Sequence, residues 1–397
     1  MTERKLRIGV AGLGRAFTLM LPTFAADQRL ELVAAADPRE EARRRFAADF
    51  DAPAYESVET VCDDPKVEIV YVATPHQMHA RHVCLATAKG KHVLVEKPMA
   101  IALPECRAMV EAARTAGVHL IVGHSHSFDA PVRRAREIVA SGAFGKVGMI
   151  TSLNYTDFLY RPRRPEELVT EKGGGVIFSQ AAHQIDIIRL LGGGLVRSVR
   201  AATGLWDPAR ETEGAYSGLL TFNDGAFASV VYSGYGHFDS DEFAGWVSEM
   251  GQTKDRSHYG AARKLLQRIT SPEEEAALKS ARNYGGANTT ASDARPQALL
   301  HQHFGLLVIS CEKADLRPLP TGVVIYADFE QRLDPLPPPQ VSRSEVIDEL
   351  YDALVHSHPP IHSGEWALAT MEVCLAMLQS ARENREIVLE HQIGLPQ

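Results

Sequence analysis

The chain has 397 residues, 45% apolar and 23% charged, which excludes a disordered protein and leaves room for two domains of ordinary size. A net charge of −8 argues against nucleic acid as a partner, since phosphate contacts need clustered lysine and arginine. Five cysteines with no Cys-x-x-Cys pair speak against a thiolate metal site, and no metal is expected.

Leu6–Ala11 reads as a buried strand, Gly12-Leu13-Gly14 as a tight turn, 15–26 as a helix and Leu30–Ala36 as a second buried strand that stops at Asp37. Glycines at such a turn let the backbone approach a pyrophosphate, whose charge then lies at a helix N-terminus. Asp37 stands where a carboxylate accepts hydrogen bonds from ribose hydroxyls and repels a 2′-phosphate, so NAD is favoured over NADP. Arg39 beside it softens that preference, and Phe17 stands where the glycine-rich motif has its third glycine. A helix over 39–50 follows, then a strand over 67–73 that ends at Thr74-Pro75, and a helix from about Gln77 to Lys89. His76, His79 and His82 share a face there, but no carboxylate completes a metal site; His76 and His79 are placed at the cofactor cleft.

The next strand runs through Val93-Leu94-Val95 into Glu96-Lys97-Pro98. A lysine at the carboxyl end of a parallel strand sits where open sheets bind ligands. Desolvation and nearby positive charge lower its pKa, which suits it to take a proton from a hydroxyl. A helix over 103–116 and a strand over 119–123 complete the dinucleotide-binding domain, assigned to 1–123. Residues 124–397 are assigned to a second domain that carries the substrate contacts, with an insertion at about 236–298. His124 and His126 leave the carboxyl edge of the sheet and are read as substrate contacts. Asp129 is read as the cap of the helix that reaches Ala140.

Lys146 to Tyr155 alternates like a strand of a second sheet. Arg161, Arg163 and Arg164 then lie in a proline-bounded loop and can grip carboxylates, or else pair with Glu166 and Glu167. Gly173-Gly174-Gly175 opens a helix on which Ser179, His183 and Asp186 share a face. Strands over 196–203, 214–222 and 226–235, a turn at Asn223-Asp224-Gly225, strands at 302–311 and 323–329, a proline-rich turn at 335–339 and helices over 344–356 and 364–382 finish the chain.

Taken together, the Gly12/Gly14 turn, Thr74-Pro75 with His79, Glu96-Lys97-Pro98 and the triple glycine leading to His183 and Asp186 resemble the Gfo/Idh/MocA oxidoreductases. The resemblance implies an α/β chain: an N-terminal Rossmann dinucleotide-binding domain plus a C-terminal α+β domain with an open, mainly antiparallel sheet. That sheet would join copies as a homodimer or homotetramer. The resemblance further implies cofactor contacts from Gly12, Gly14, Arg15, Asp37, Thr74, Pro75, His79, Glu96 and Lys97, and Lys97 with His183 at the chemistry. The family's sugar- and inositol-oxidising members carry an aspartate where this chain has Ser179. The arginine loop, the His124-Ser125-His126-Ser127 segment and the insertion are instead similar to the branch of phthalate 4,5-cis-dihydrodiol (4,5-dihydroxyphthalate) dehydrogenases.

The expected activity is NAD-dependent oxidation of a secondary alcohol, with a cis-dihydrodiol of an aromatic carboxylic acid as substrate. Its carboxylate would meet Arg161, Arg163 or Arg164, and Ser179 would contact the substrate. A sugar or inositol dehydrogenase and a non-catalytic NAD-binding regulatory protein stand as the alternatives. No signal-peptide core and no apolar run near the ~20 residues of a membrane span are present, so the expected location is the cytoplasm and no membrane partner is expected.

Overall fold

The computed structural model describes residues 4–287 and 300–396. Uninterrupted apolar runs suit strands covered on both faces, and the first of these runs form a parallel sheet. Its strands are Leu6–Ala11 (β1), Leu30–Ala36 (β2), Ala54–Tyr55 (β3), Ile69–Val72 (β4), His92–Val95 (β5) and Leu120–Val122 (β6), in the order β3-β2-β1-β4-β5-β6. The order reverses between β1 and β4, and at such a switch point the carboxyl ends part to leave a crevice. The turns after β1, β4, β5 and β6 all open on that edge, which brings Gly12, Thr74, Lys97 and His124 to one side of the sheet.

The second sheet contains Val147–Tyr155 (β7), Val196–Gly204 (β8), Ala215–Phe222 (β9), Phe227–Ser233 (β10), Leu306–Cys311 (β11), Ala314–Leu319 (β12), Gly322–Ala327 (β13), Gln331–Pro335 (β14) and Ile387–Val388 (β15). The order is β14-β13-β12-β11-β7-β10-β9-β8-β15, and only β7 and β10 pair in parallel. This is the mixed, mainly antiparallel sheet expected. Ile150, Val230, Ile309, Leu316 and Ile325 are buried on its inner face, in one cluster with the helices Ala182–Leu191 and Gly364–Glu383.

The helix Ser344–Val355 returns to the first sheet, where Val346, Ile347 and Leu350 share a cluster with Leu6, Ile8 and Val10. Beyond it, Ser363 bridges to Ile121, and the Val122 N–H donates to the His362 carbonyl at 2.9 Å, which covers the open edge of β6.

The inserted segment carries short 3-10 turns and the helices Ala261–Leu266 and Pro272–Ser280. Ser271 caps the latter as its sequence predicts, its Oγ accepting the Glu274 N–H at 3.2 Å. Residues 288–298 of the insertion lie outside the described residues. Just before them, Tyr284 reaches back across the molecule. Its ring meets Phe17 edge-on at 5.1 Å, and its hydroxyl donates to Asp49 at 2.6 Å.

Candidate active site

The turn after β1 needs its first glycine. Gly12 has φ +96°, and a Cβ there would lie 2.8 Å from the Ala73 carbonyl oxygen. Gly14 caps the helix Arg15–Ala26 without a side-chain hydrogen bond, so the first N–H groups face the crevice. Asp37 is buried and accepts the Leu13 N–H at 2.8 Å. The Arg39 guanidinium grips both Asp37 oxygens at 3.0 and 3.1 Å, and donates to the carbonyls of Leu13 at 2.7 Å and Tyr284 at 3.1 Å. A close backbone approach, a helix N-terminus and a fixed ribose-side carboxylate fit a dinucleotide. Phe17 in the third glycine position is accommodated by a ring cluster with Phe24, Phe46 and Tyr284. Arg15 is exposed in the first helical turn. His79 is turned inward, with its ring nitrogens 2.8 and 2.9 Å from the carbonyl oxygens of Thr74 and Pro98, and in the neutral form its single N–H donates to one of them.

Glu96 is buried and accepts the Tyr71 hydroxyl at 2.5 Å. Beside it the Lys97 Nζ donates to the Ser179 carbonyl at 2.9 Å. The helix supplying that carbonyl opens with a π-turn over Ile177–Ala181, a widened turn of the kind common at functional sites. The Ser179 hydroxyl closes back on the Gly175 carbonyl, so Ser179 presents its backbone to the lysine. Burial brings the Lys97 pKa down to about 8; Arg343 and Arg163 act in the same direction, against Glu96 and Glu249.

His183 faces Lys97 from the next turn. Its ring packs 4.8 Å from His126 and 5.4 Å from Phe304, and its buried Nδ1 has no hydrogen-bond partner among the described residues. Burial holds it neutral, well below the ordinary imidazole range, with Lys97, His126, His124 and Arg343 all adding to the effect. Asp129 corrects an expectation. Its carboxylate does not cap the following helix; it accepts from His126 Nδ1 at 2.7 Å and lies 3.2 Å from His124 Nε2. It thereby fixes both imidazoles behind His183. Asp186 likewise turns away from the site, to Ser127, to Trp366 Nε1 at 2.5 Å and to Thr370 at 3.2 Å. The π-turn and the fold of the 124–127 segment set that direction, and helical spacing alone does not show it.

The three loop arginines diverge. Arg161 donates to Asp157 at 2.9 Å, and Arg164 lies 3.3 Å from Glu166. Arg163 lies flat over the Phe158 ring at 3.6 Å and donates to the Phe158 carbonyl at 2.6 Å. Two residues that sequence reasoning missed complete the surroundings of Lys97: Glu249, which accepts from Asn154 Nδ2 at 2.9 Å, and Arg343. No motif marks either of them.

Residues 6–124 match the oxidoreductase family described as GFO/IDH/MocA with an NAD-binding Rossmann fold, and residues 132–244 match a GFO/IDH/MocA C-terminal domain. The chain is 50% identical over 378 residues, 95% of each chain, to the 1-carboxy-3-chloro-3,4-dihydroxycyclohexa-1,5-diene dehydrogenase of Comamonas testosteroni. The chain belongs to the Gfo/Idh/MocA oxidoreductase family. As a family member it is a dehydrogenase that uses NAD. A solved structure from Bordetella bronchiseptica RB50 superposes with a TM-score of 0.90 at 42% identity, covering 97% of this chain and 100% of that one. GenD2 from gentamicin A biosynthesis, solved in complex with NAD, shares the Gfo/Idh/MocA fold at a TM-score of 0.69 and 20% identity, over 98% of each chain. Among the described residues, no helix is long and apolar enough to cross a membrane, and no group of three or more His, Cys, Asp or Glu could hold a metal ion.

Proposed function

We propose that the protein oxidises a cis-dihydrodiol of an aromatic carboxylic acid, with residues 1–123 binding the cofactor and 124–397 the substrate. The observation that carries the reading is a lysine of lowered pKa beside a neutral histidine at the carboxyl edge of the nucleotide sheet, with guanidinium groups around both. NAD⁺, when bound, accepts hydride from the carbon bearing the hydroxyl. A neutral Lys97 amine donates one N–H to the Ser179 carbonyl, which leaves its lone pair free for the hydroxyl proton. His183, held uncharged, orients that hydroxyl by a hydrogen bond. The resulting ketone tautomerises to a catechol, and the regained aromaticity drives the reaction forward. The related Comamonas enzyme is named for a diol that carries one carboxyl group, and the cations around Lys97 suit such an anion.

In this reading the enzyme works in the cytoplasm as a homodimer or homotetramer joined through the nine-stranded sheet. Support comes from the register: Met149, Leu219, Phe227, Tyr326 and Leu333 all fall on one face, and all are exposed there.

The test is NADH production from aromatic-acid cis-dihydrodiols, neutral dihydrodiols, inositols and aldoses, each with NAD⁺ and NADP⁺. Turnover of carboxylated dihydrodiols with NAD⁺ is expected. Turnover confined to inositols or sugars rejects the substrate class, and tight NADH binding without turnover of any alcohol rejects catalysis.

A further inference from the structure

Arg343 immediately precedes the helix Ser344–Val355 and has the left-handed φ of +64°, which a residue with a side chain adopts only at a cost. That backbone conformation places its guanidinium in the space between the two sheets. A guanidinium offers five N–H donors in a planar fork. Among the described residues Arg343 has no carboxylate partner: its Nε is buried with no hydrogen bond, and Nη2 reaches only the Met250 sulfur at 3.9 Å. The same sulfur is 4.0 Å from Gln302 Nε2, and the Gln302 Oε1 is likewise buried without a partner. Arg343 and Gln302 line one small cavity, of about 10 Å³, together with Asp129, His301 and Glu345.

Asp129 links the cavity to the chemistry, since it lines the cavity and also holds His124 and His126, whose ring packs on His183. Arg343 depresses the pKa values of Lys97, His183 and His124, and it is the cation acting most strongly on Lys97. Its field also reaches Glu96, but that carboxylate is hydrogen-bonded to Tyr71 and not to Arg343. The loop arginines are committed elsewhere: Arg161 to Asp157, Arg164 to Glu166, and Arg163 to the ring and carbonyl of Phe158. Arg163 and Arg164 each also leave a buried Nε without a hydrogen bond, but each has an oxygen partner in its own loop, whereas no oxygen among the described residues accepts from Arg343, which makes it the least committed guanidinium beside the reacting groups.

We propose that Arg343 is the specificity-determining residue that receives the ring carboxylate of the substrate, with Gln302 beside it in the same pocket. This rests on the dihydrodiol-acid reading above. A carboxylate there takes up the vacant N–H donors by charge-assisted hydrogen bonds and holds the ring so that its hydroxyl meets Lys97 and His183.

The experiment measures kcat and KM for a carboxylated cis-dihydrodiol and for the same ring without its carboxyl group, in wild type, Arg343→Gln, Arg343→Lys and Gln302→Glu. NADH binding is followed by fluorescence in each protein. On the alkaline plateau of each protein's pH–rate profile, where the Lys97 amine is neutral in both, Arg343→Gln is expected to lower kcat/KM on the acid by roughly 10²-fold or more, mainly through KM, with the neutral diol changed by no more than about threefold. Arg343→Lys restores part of the loss, since it keeps the charge but not the fork. Gln302→Glu supplies an internal carboxylate that competes for Arg343, and costs the acid substrate about 10-fold with NADH binding unchanged.

Arg343→Gln also shifts the ascending limb of the pH–rate profile to higher pH, because the amine of Lys97 loses a neighbouring cation while Glu96, Glu249, Arg163 and His183 remain around it. Equal losses on the acid and the neutral diol overturn the assignment. Should Arg343→Gln fail to fold, an unchanged acid kcat/KM in Gln302→Glu overturns it instead. A wild-type enzyme with no turnover of any carboxylated diol defeats the parent reading, a result separable from both.

Discussion

Lys97 is placed by two constraints that act on different atoms. The strand β5 fixes its backbone at the sheet edge, and the Ser179 carbonyl fixes its ammonium group 2.9 Å away. A base must be neutral to act, and burial with Arg343 and Arg163 nearby brings its pKa to about 8 against the pull of Glu96 and Glu249. Below that pH the amine is protonated, so kcat/KM is expected to fall about tenfold per pH unit toward acid. Lys97→Ala should lower kcat by roughly two to four orders of magnitude while NADH still binds. Lys97→Arg sharpens the test: it keeps a cation in the site, but arginine stays protonated and cannot accept the proton. Appreciable turnover by Lys97→Arg at neutral pH would remove the general-base role.

At the scale of elements, the βαβ unit and the motif from Gly173 to His183 were legible, because glycine, turn and strand residues there answer to local backbone demands. The strands Ala314–Leu319 and Gln331–Pro335 were not. The first contains Arg317-Pro318, and the second is an exposed outer strand without an apolar alternation. Arg343 and Glu249 were also illegible in the sequence. Each is a single charged residue whose role comes from tertiary placement, one before a helix and one in the insertion. The insertion shows the same limit, for its helical start at Ser271 is a local signal while the docking of Tyr284 onto the first sheet's helices is not.

That docking carries a prediction of its own. Tyr284 is buried against Phe17, and its carbonyl accepts from Arg39, which grips Asp37. Tyr284→Ala should lower the unfolding free energy by about 3–5 kcal/mol and weaken NADH binding, as Arg39 loses a fixed acceptor. Tyr284→Phe, which loses only the bond to Asp49, should cost about 1 kcal/mol. Urea denaturation and NADH titration separate the two; equal costs for both variants would mean that the ring packing contributes little.

Across the whole molecule, the ionisable groups packed between the two sheets tie stability to pH. His79, His124 and His183 are all buried and kept neutral; burial takes the first two down to about 4 and about 3, and the third well below the ordinary range. In the unfolded chain the same imidazoles take up protons below about pH 6.5. The unfolded state therefore binds more protons than the native state between roughly pH 4 and 6.5, so stability rises with pH across that window and is lost as pH falls. Asp129, pulled well below the carboxylate range by His126 and His124 despite its burial, adds the same sign at lower pH. His362 opposes them. Its pKa is raised by Glu349 and Asp186 against burial, and its contribution is fully present below the unfolded value. Glu345, whose carboxyl burial lifts to about 7, opposes them as well, while His76, lowered to about 3, acts with them; four depressed imidazoles outweigh these two raised groups, so the thermal midpoint should drop between pH 7 and pH 5, with net proton uptake on unfolding. Calorimetry in buffers of different ionisation enthalpy measures both quantities. A midpoint that stays level or climbs toward pH 5 would show that these histidines are already charged in the native state, and His183 could then no longer serve as an uncharged partner for the substrate hydroxyl.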